Sequence, residues 1–129
     1  MRQFRKLVLL FLLIIGSTSI MAQNETEAVV QNLQTANFNN LLSFWDNQVE
    51  VNMPDIAGLK QFNAREANEL LKSFFTNNSI LGFEKSAARK VGNTVYLTGK
   101  LISNTSKYNI TMLLQQSKNN FVIISVRVN

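Results

Sequence analysis

Apolar and polar residues alternate along the last part of the chain, from Thr94 to Val128. A period of two held over this length predicts three antiparallel strands with one face buried in the core. The predicted buried face carries Val95, Leu97, Gly99, Leu101, Tyr108, Ile110, Met112, Leu114, Val122, Ile124, Val126 and Val128. No single helix covers such a face, so we expect the upstream segments to pack against it.

The two turns inside this region set the predicted pairing of its strands. A two-residue loop at Thr105-Ser106 would place Leu101 opposite Ile110, so that apolar residues meet. An odd-length loop around 117–119 would keep Leu114 and Val122 on the same side of the sheet.

Three upstream segments have apolar residues at helical spacing. Their stripes are Val29, Val30 and Leu33; Phe38, Leu41, Leu42 and Trp45; and Ala67, Leu70, Leu71, Phe74 and Phe75. Asn24 with Glu27, and Asn63 with Glu66, have the spacing of capping boxes, and Asn37 is a plausible cap for the second helix. The phase of the pattern breaks near 35–37, which predicts two separate helices there.

The remaining strands are shorter or less regular. Residues 48–53 alternate and stop at Pro54, which indicates a short strand, with a partner strand over 59–62. In the strand before Gly92, parity leaves open whether Glu84 or Lys85 points inward. We therefore expect a bulge or an odd loop between Glu84 and Gly92.

The N-terminal residues 1–22 have the pattern of a signal peptide. Three cations precede a nine-residue apolar run from Leu7 to Ile15, and small residues lead to a cleavage site after Ala22. The alternative, a membrane anchor, would need about 20 apolar residues. We expect an exported protein, periplasmic or secreted, with no membrane contact after cleavage and one α+β domain over residues 23–129.

The chain contains no cysteine and no histidine. Disulfides, the usual zinc sites and catalysis by serine–histidine or cysteine–histidine pairs are therefore excluded. The formal net charge of +5 falls to +2 without the three signal-peptide cations. All eight acids lie at or before Glu84, whereas seven bases and no acid follow it. A basic sheet attracts anionic partners. The alternative is that the acidic helices and the basic strands complement each other's charge. Nucleic acid is not an expected partner.

The segment from Asn37 to Pro54, NFNNLLSFWDNQVEVNMP, resembles the nuclear transport factor 2-like family. A small polar cap, an amphipathic helix ending in an aromatic residue, an acid, a strand and a proline follow one another in both. The chain also resembles small secreted Bacteroidetes proteins of unknown function with this fold. The resemblance implies an α+β cone in which N-terminal helices pack in the concave face of a curved antiparallel sheet. Ketosteroid isomerases of this fold carry their proton-abstracting aspartate directly before the proline, where this chain has Met53, so that mechanism is not supported.

Candidate site residues follow from these patterns. No catalytic residue is assigned, but Asp46, Asp55 and Glu84 are weak candidates for a pocket acid. The candidate ligand-pocket residues are Trp45, Met53, Lys85, Tyr108 and Met112, and no cofactor or metal is expected.

The predicted outer face of the sheet is unusually apolar for a solvent-exposed surface. Leu113, Phe121 and Ile123 are placed there by parity, and they are the candidate homodimer interface. The sequence thus predicts an exported, non-catalytic domain that binds a small molecule or an envelope protein and forms a homodimer. The alternatives are a pocket enzyme of hydrolase, isomerase or dehydratase type that uses an acidic residue, and an interaction module with a filled core.

Overall fold

The computed structural model describes residues 26–129, so the predicted signal peptide and the predicted cap Asn24 lie outside the described residues. The elements, in chain order, are helix α1 (26–34), helix α2 (Phe38–Leu41), a 3-10 turn (Leu42–Phe44), strand β1 (Trp45–Asn52), strand β2 (Lys60–Phe62), helix α3 (Ala64–Asn77), and strands β3 (Gly82–Val91), β4 (Thr94–Ile102), β5 (Lys107–Ser117) and β6 (Asn120–Val128). Within this range no helix has both the length and the apolar character needed to cross a bilayer.

The strands form one curved, unclosed sheet in the order β2-β1-β6-β5-β4-β3, and the helices pack on its concave face. The predicted α+β class and architecture are therefore confirmed. Neighbouring strands are antiparallel except β1 and β6, which are parallel. This one parallel pair brings the segment after α2 beside the C-terminal strand.

The helix ends follow local cap chemistry. Asn63 accepts a hydrogen bond from the backbone N–H of Glu66 at 2.8 Å, and the Glu66 carboxylate accepts one from the backbone N–H of Asn63 at 3.4 Å. The predicted capping box of α3 is thus confirmed. Asn37 caps α2, as predicted, by accepting from the backbone N–H of Asn40 at 3.2 Å.

The second helix is shorter than its apolar spacing predicts. The α-helix ends at Leu41, a single 3-10 turn follows, and Trp45 opens β1 in extended conformation. Trp45 nevertheless stays buried, because strand β1 directs it toward α3.

The inner faces of β4 and β5 agree with the alternation in the sequence. Val95, Leu97 and Leu101 on β4 and Ile110, Met112 and Leu114 on β5 are all at most 4% exposed. The pairing between these strands is offset by two residues from the prediction, since Leu101 lies opposite Tyr108 and Gly99 opposite Ile110. An offset of two preserves the buried face.

Strand β6 differs from its prediction in the turn before it and in the residues that face inward. Lys118 and Asn119 form a two-residue turn in which Lys118 has φ +57°, and Ser117 pairs with Asn120. The register then shifts between Leu113 and Leu114, so an extra residue occurs in β6. The inward residues are Ile123, Val126 and Val128, and the predictions that Val122 and Ile124 face inward are wrong.

Strand β3 contains the predicted bulge. Lys85 pairs with Gly99 and Ala87 with Thr98, which leaves Ser86 as the unpaired extra residue. Gly99 is required by packing, since a Cβ there would collide with the Glu84 carbonyl oxygen and the ring of Phe83. The Phe83 ring therefore crosses over Gly99 and closes the core at this edge of the sheet.

Candidate functional site

The three candidate acids are not brought together. Asp46 lies near the start of β1 and Asp55 in the turn after it, so the two carboxylates are at opposite ends of the strand. Glu84 is on β3, four strands from β1, or about 19 Å across the sheet. Residues 26–129 likewise contain no cluster of three or more acidic side chains that could hold a metal ion. A paired-carboxylate site is not assembled from these residues.

Three of the candidate pocket residues are core residues. Trp45 is 5% exposed, Met53 3% and Met112 1%. Trp45 donates its indole N–H to Oδ1 of Asn68 at 2.9 Å, and Asn68 donates Nδ2–H to the carbonyl of Phe38 at 2.9 Å. This buried chain of hydrogen bonds ties α2, β1 and α3 together.

Asn68 was missed by the sequence interpretation. It follows Ala67 and precedes Leu71 by one helical turn, so it lies on the apolar stripe of α3. A polar residue within such a stripe is expected to have a buried partner. The indole N–H of a buried tryptophan also needs an acceptor, but no local pattern in the sequence indicates that Trp45 and Asn68 are partners.

Tyr108 lies on the inner face, half-buried, at the C-terminal end of α3. Its hydroxyl donates to Oδ1 of Asn78 at 3.3 Å, and its ring meets Phe74 edge-on with centroids 5.1 Å apart. Asn78 in turn donates to the Phe74 carbonyl at 3.0 Å. Tyr108 therefore braces the end of α3.

Lys85, one of the candidate pocket residues, lines an open groove. The groove runs between α1 and β3 and encloses about 330 Å³. Its lining residues are Glu27, Val30, Gln31, Gln34 and Lys85. The sequence left open whether Glu84 or Lys85 points to the inner face of the sheet. Glu84 is exposed and pairs with Lys100 on the outer face, so Lys85 is the residue that points inward.

A second groove lies between β2 and α3. It encloses about 250 Å³ and is lined by Phe62, Glu66, Glu69, Leu70 and Ser73. None of the candidate residues from the sequence contributes to it.

The outer face of the sheet differs from its prediction at two of three positions. Ile123 is fully buried in the core, and Phe121 packs against the core with Nζ of Lys90 5.9 Å from its ring centroid. The assignment of both to the outer face is wrong, because the bulge in β6 reverses the phase of the strand. Leu113 is on the outer face, where it lies between Tyr96 and Ser125.

A curved six-stranded sheet with helices on its concave side defines the nuclear transport factor 2-like class of α+β proteins. Residues 26–129 match the family described as Domain of unknown function (DUF4783). The chain belongs to this family. No curated protein matches the chain.

Solved structures show the same fold. A DUF4783 family protein from Bacteroides ovatus is 17% identical with a TM-score of 0.71, covering 78% of this chain and 89% of that one. A family member from Bacteroides fragilis is 19% identical with a TM-score of 0.70, covering 78% and 92%. A nuclear transport factor 2-like protein of unknown function from Cytophaga hutchinsonii is 16% identical with a TM-score of 0.59, covering 83% and 87%. At these identities the likeness establishes the fold alone.

Proposed function

We propose that the protein is an exported, non-catalytic binding domain that associates with a second copy through the outer face of its sheet. The observation that carries the proposal is a group of apolar side chains on that face. Tyr96, Leu113, Val122 and Ile124 form this outer patch. Tyr96 is 41% exposed, and the other three are half-buried but are not part of the core cluster.

Charge on the outer face suits a partner that is a second copy. Arg89, Tyr96, Leu113, Ser125 and Glu50 lie in one row across five strands, basic at one end and acidic at the other. A two-fold axis along β5 would place Arg89 of each copy over Glu50 of the partner subunit. Such self-complementarity is what an isologous dimer requires.

The edges of the sheet are less suited to association. β3 is the long edge strand, but it has a bulge at Ser86 and exposed charges at Glu84, Arg89 and Lys90. Bulges and charges on an edge strand oppose the addition of another strand. The other edge, β2, has only the three residues Lys60–Phe62. This favours a partner on the face.

The dimer is tested by sedimentation velocity across micromolar concentrations. We expect a dimer for the parent and a monomer for Leu113→Lys, because a lysine would be placed without a partner in the middle of the patch. Asn77→Lys adds the same charge at the exposed end of α3 and should leave the dimer intact. A parent that stays monomeric, or a Leu113→Lys variant that stays dimeric, contradicts the proposal.

Charge exchange tests the orientation. Arg89→Glu should weaken association by bringing two acids together, and adding Glu50→Arg should restore it. Restoration would not occur if the copies packed in another orientation. Export is tested separately by the N-terminus of protein recovered outside the cytoplasm, which should begin at Gln23.

A further inference from the structure

The groove between α1 and β3 carries opposite charges on its two walls. On α1, Glu27, Gln31 and Gln34 are four and three residues apart, so they form one stripe along the helix. Lys85 stands on the opposite wall, and Val30, 9% exposed, contributes the apolar floor. The groove thus offers a carboxylate, two amides and an ammonium around one small apolar surface.

Lys85 faces this groove because of two features of β3 and β4. The bulge at Ser86 comes directly after it, so Lys85 keeps the inward orientation of Phe83 while the residues beyond the bulge change phase. Its cross-strand neighbour is Gly99, and the ring of Phe83 occupies the space above that glycine. The Lys85 side chain therefore extends toward α1 rather than across β4.

Neither charge on these walls is neutralised by a described residue. Glu27 and Lys85 make no ion pair with each other within 4.0 Å, nor with another residue in 26–129. Both side chains are exposed and so can be reached from solvent. Within residues 26–129 the two charges are unpaired and lie on opposite sides of about 330 Å³ of open space.

We propose that this groove binds a small zwitterion, a free α-amino acid or a short peptide, with the ligand's ammonium on Glu27 and its carboxylate on Lys85. A simple anion would be attracted by Lys85 and repelled by Glu27, and a simple cation the reverse. A neutral ligand would desolvate both charges without replacing their hydrogen bonds. The volume is near the lower end of known ligand pockets, which fits a small molecule.

The amides and the floor complete the recognition. Gln31 and Gln34 each present a donor and an acceptor, which suits a peptide group or polar side chain of the ligand. Val30 gives an apolar side chain of the ligand a surface to contact. The groove lies on the concave side of the sheet, so the zwitterion site does not depend on the outer patch or on dimerisation.

The test is a titration of the purified protein followed by amide chemical shifts, with leucine and leucyl-glycine as the two probes. N-acetyl-leucine lacks the ammonium and leucine amide lacks the carboxylate, so each should bind at least tenfold more weakly than leucine. Shift changes should centre on 27–34 and Lys85. Stronger binding of leucyl-glycine than of leucine would assign the site to peptides, and the reverse order to free amino acids.

Three variants separate the site from general charge effects. Glu27→Gln and Lys85→Met should each reduce affinity at least tenfold, whereas Lys90→Met, on the same strand, should leave it unchanged. The same titration in Leu113→Lys should give the same affinity, which distinguishes failure of this site from failure of the dimer. Absence of binding by either probe at millimolar concentration, equal binding of the blocked compounds, or an equal loss in Lys90→Met would overturn the proposal.

Discussion

The buried hydrogen bonds of Asn68 should make a measurable contribution to stability. We consider Asn68→Leu, which keeps the volume of the side chain and so avoids a large cavity. The variant leaves the indole N–H of Trp45 buried without its acceptor, at a cost of about 1–3 kcal/mol. The Phe38 carbonyl loses its hydrogen bond from Asn68 but retains the one from the backbone N–H of Leu42. Loss of the Asn68 bond therefore costs about 0.5–1.5 kcal/mol, as for an ordinary hydrogen bond. The expected destabilisation is therefore about 2–4 kcal/mol.

Urea unfolding followed by far-ultraviolet circular dichroism measures this difference, with an unchanged slope indicating a change in stability alone. A double-mutant cycle isolates the bond. In a Trp45→Phe background no indole N–H is left unpaired, so Asn68→Leu should cost about 1–3 kcal/mol less there. Glu69→Ala, at the exposed neighbouring position of α3, should stay within about 0.5 kcal/mol of the parent. The same cost in both backgrounds would refute the assignment of Asn68 as the partner of the indole.

Two further pairs of variants test the packing of the sheet. Gly99→Ala should destabilise by about 1–3 kcal/mol through the collisions described above, whereas Gly82→Ala, with nothing within 4 Å of its added carbon, should be neutral or slightly stabilising. Thermal unfolding distinguishes them, because about 1 kcal/mol shifts the midpoint by about 4–8 °C in a domain of this size. Ile123→Ala should cost about 2–5 kcal/mol and Ile124→Ala under about 1 kcal/mol, both measured by urea unfolding in the Leu113→Lys background, which removes the proposed association. Similar costs at the two isoleucines would contradict the register given by the bulge.

The helix caps and the inner faces of β4 and β5 could be predicted because their causes are local. A cap such as Asn63 with Glu66 depends on a few neighbouring residues, and strict alternation fixes which side of an uninterrupted strand is buried. The prediction failed in β6, where residues 121–124 are all apolar and the alternation has no phase to read. The two-residue turn at 118–119 and the bulge together then decide the buried set.

The candidate site could be predicted only in part, because it depends on which strands become neighbours. The sequence places Asp46 and Asp55 on either side of one strand, but only the sheet order shows that Glu84 is four strands away. The pairing of Trp45 with Asn68 joins residues 23 positions apart on elements whose mutual packing no local pattern specifies. Lys85 was the exception, since parity already marked the strand before Gly92 as irregular and limited the inward choice to two neighbours.

The bulge at Ser86 places one cation at each of the two proposed surfaces. Before it, Lys85 points to the concave side and lines the groove; after it, Arg89 points to the outer face beside Tyr96. In a regular strand two residues four positions apart share a face, so Lys85 and Arg89 would lie on the same side of the sheet if the same sequence paired without a bulge. One inserted residue thus gives the concave groove one cation and the row through Leu113 another. The bulge in β3 thus decides which cation lines the groove and which lies at the basic end of the row, whereas the outer patch itself is built by β4, β5 and β6.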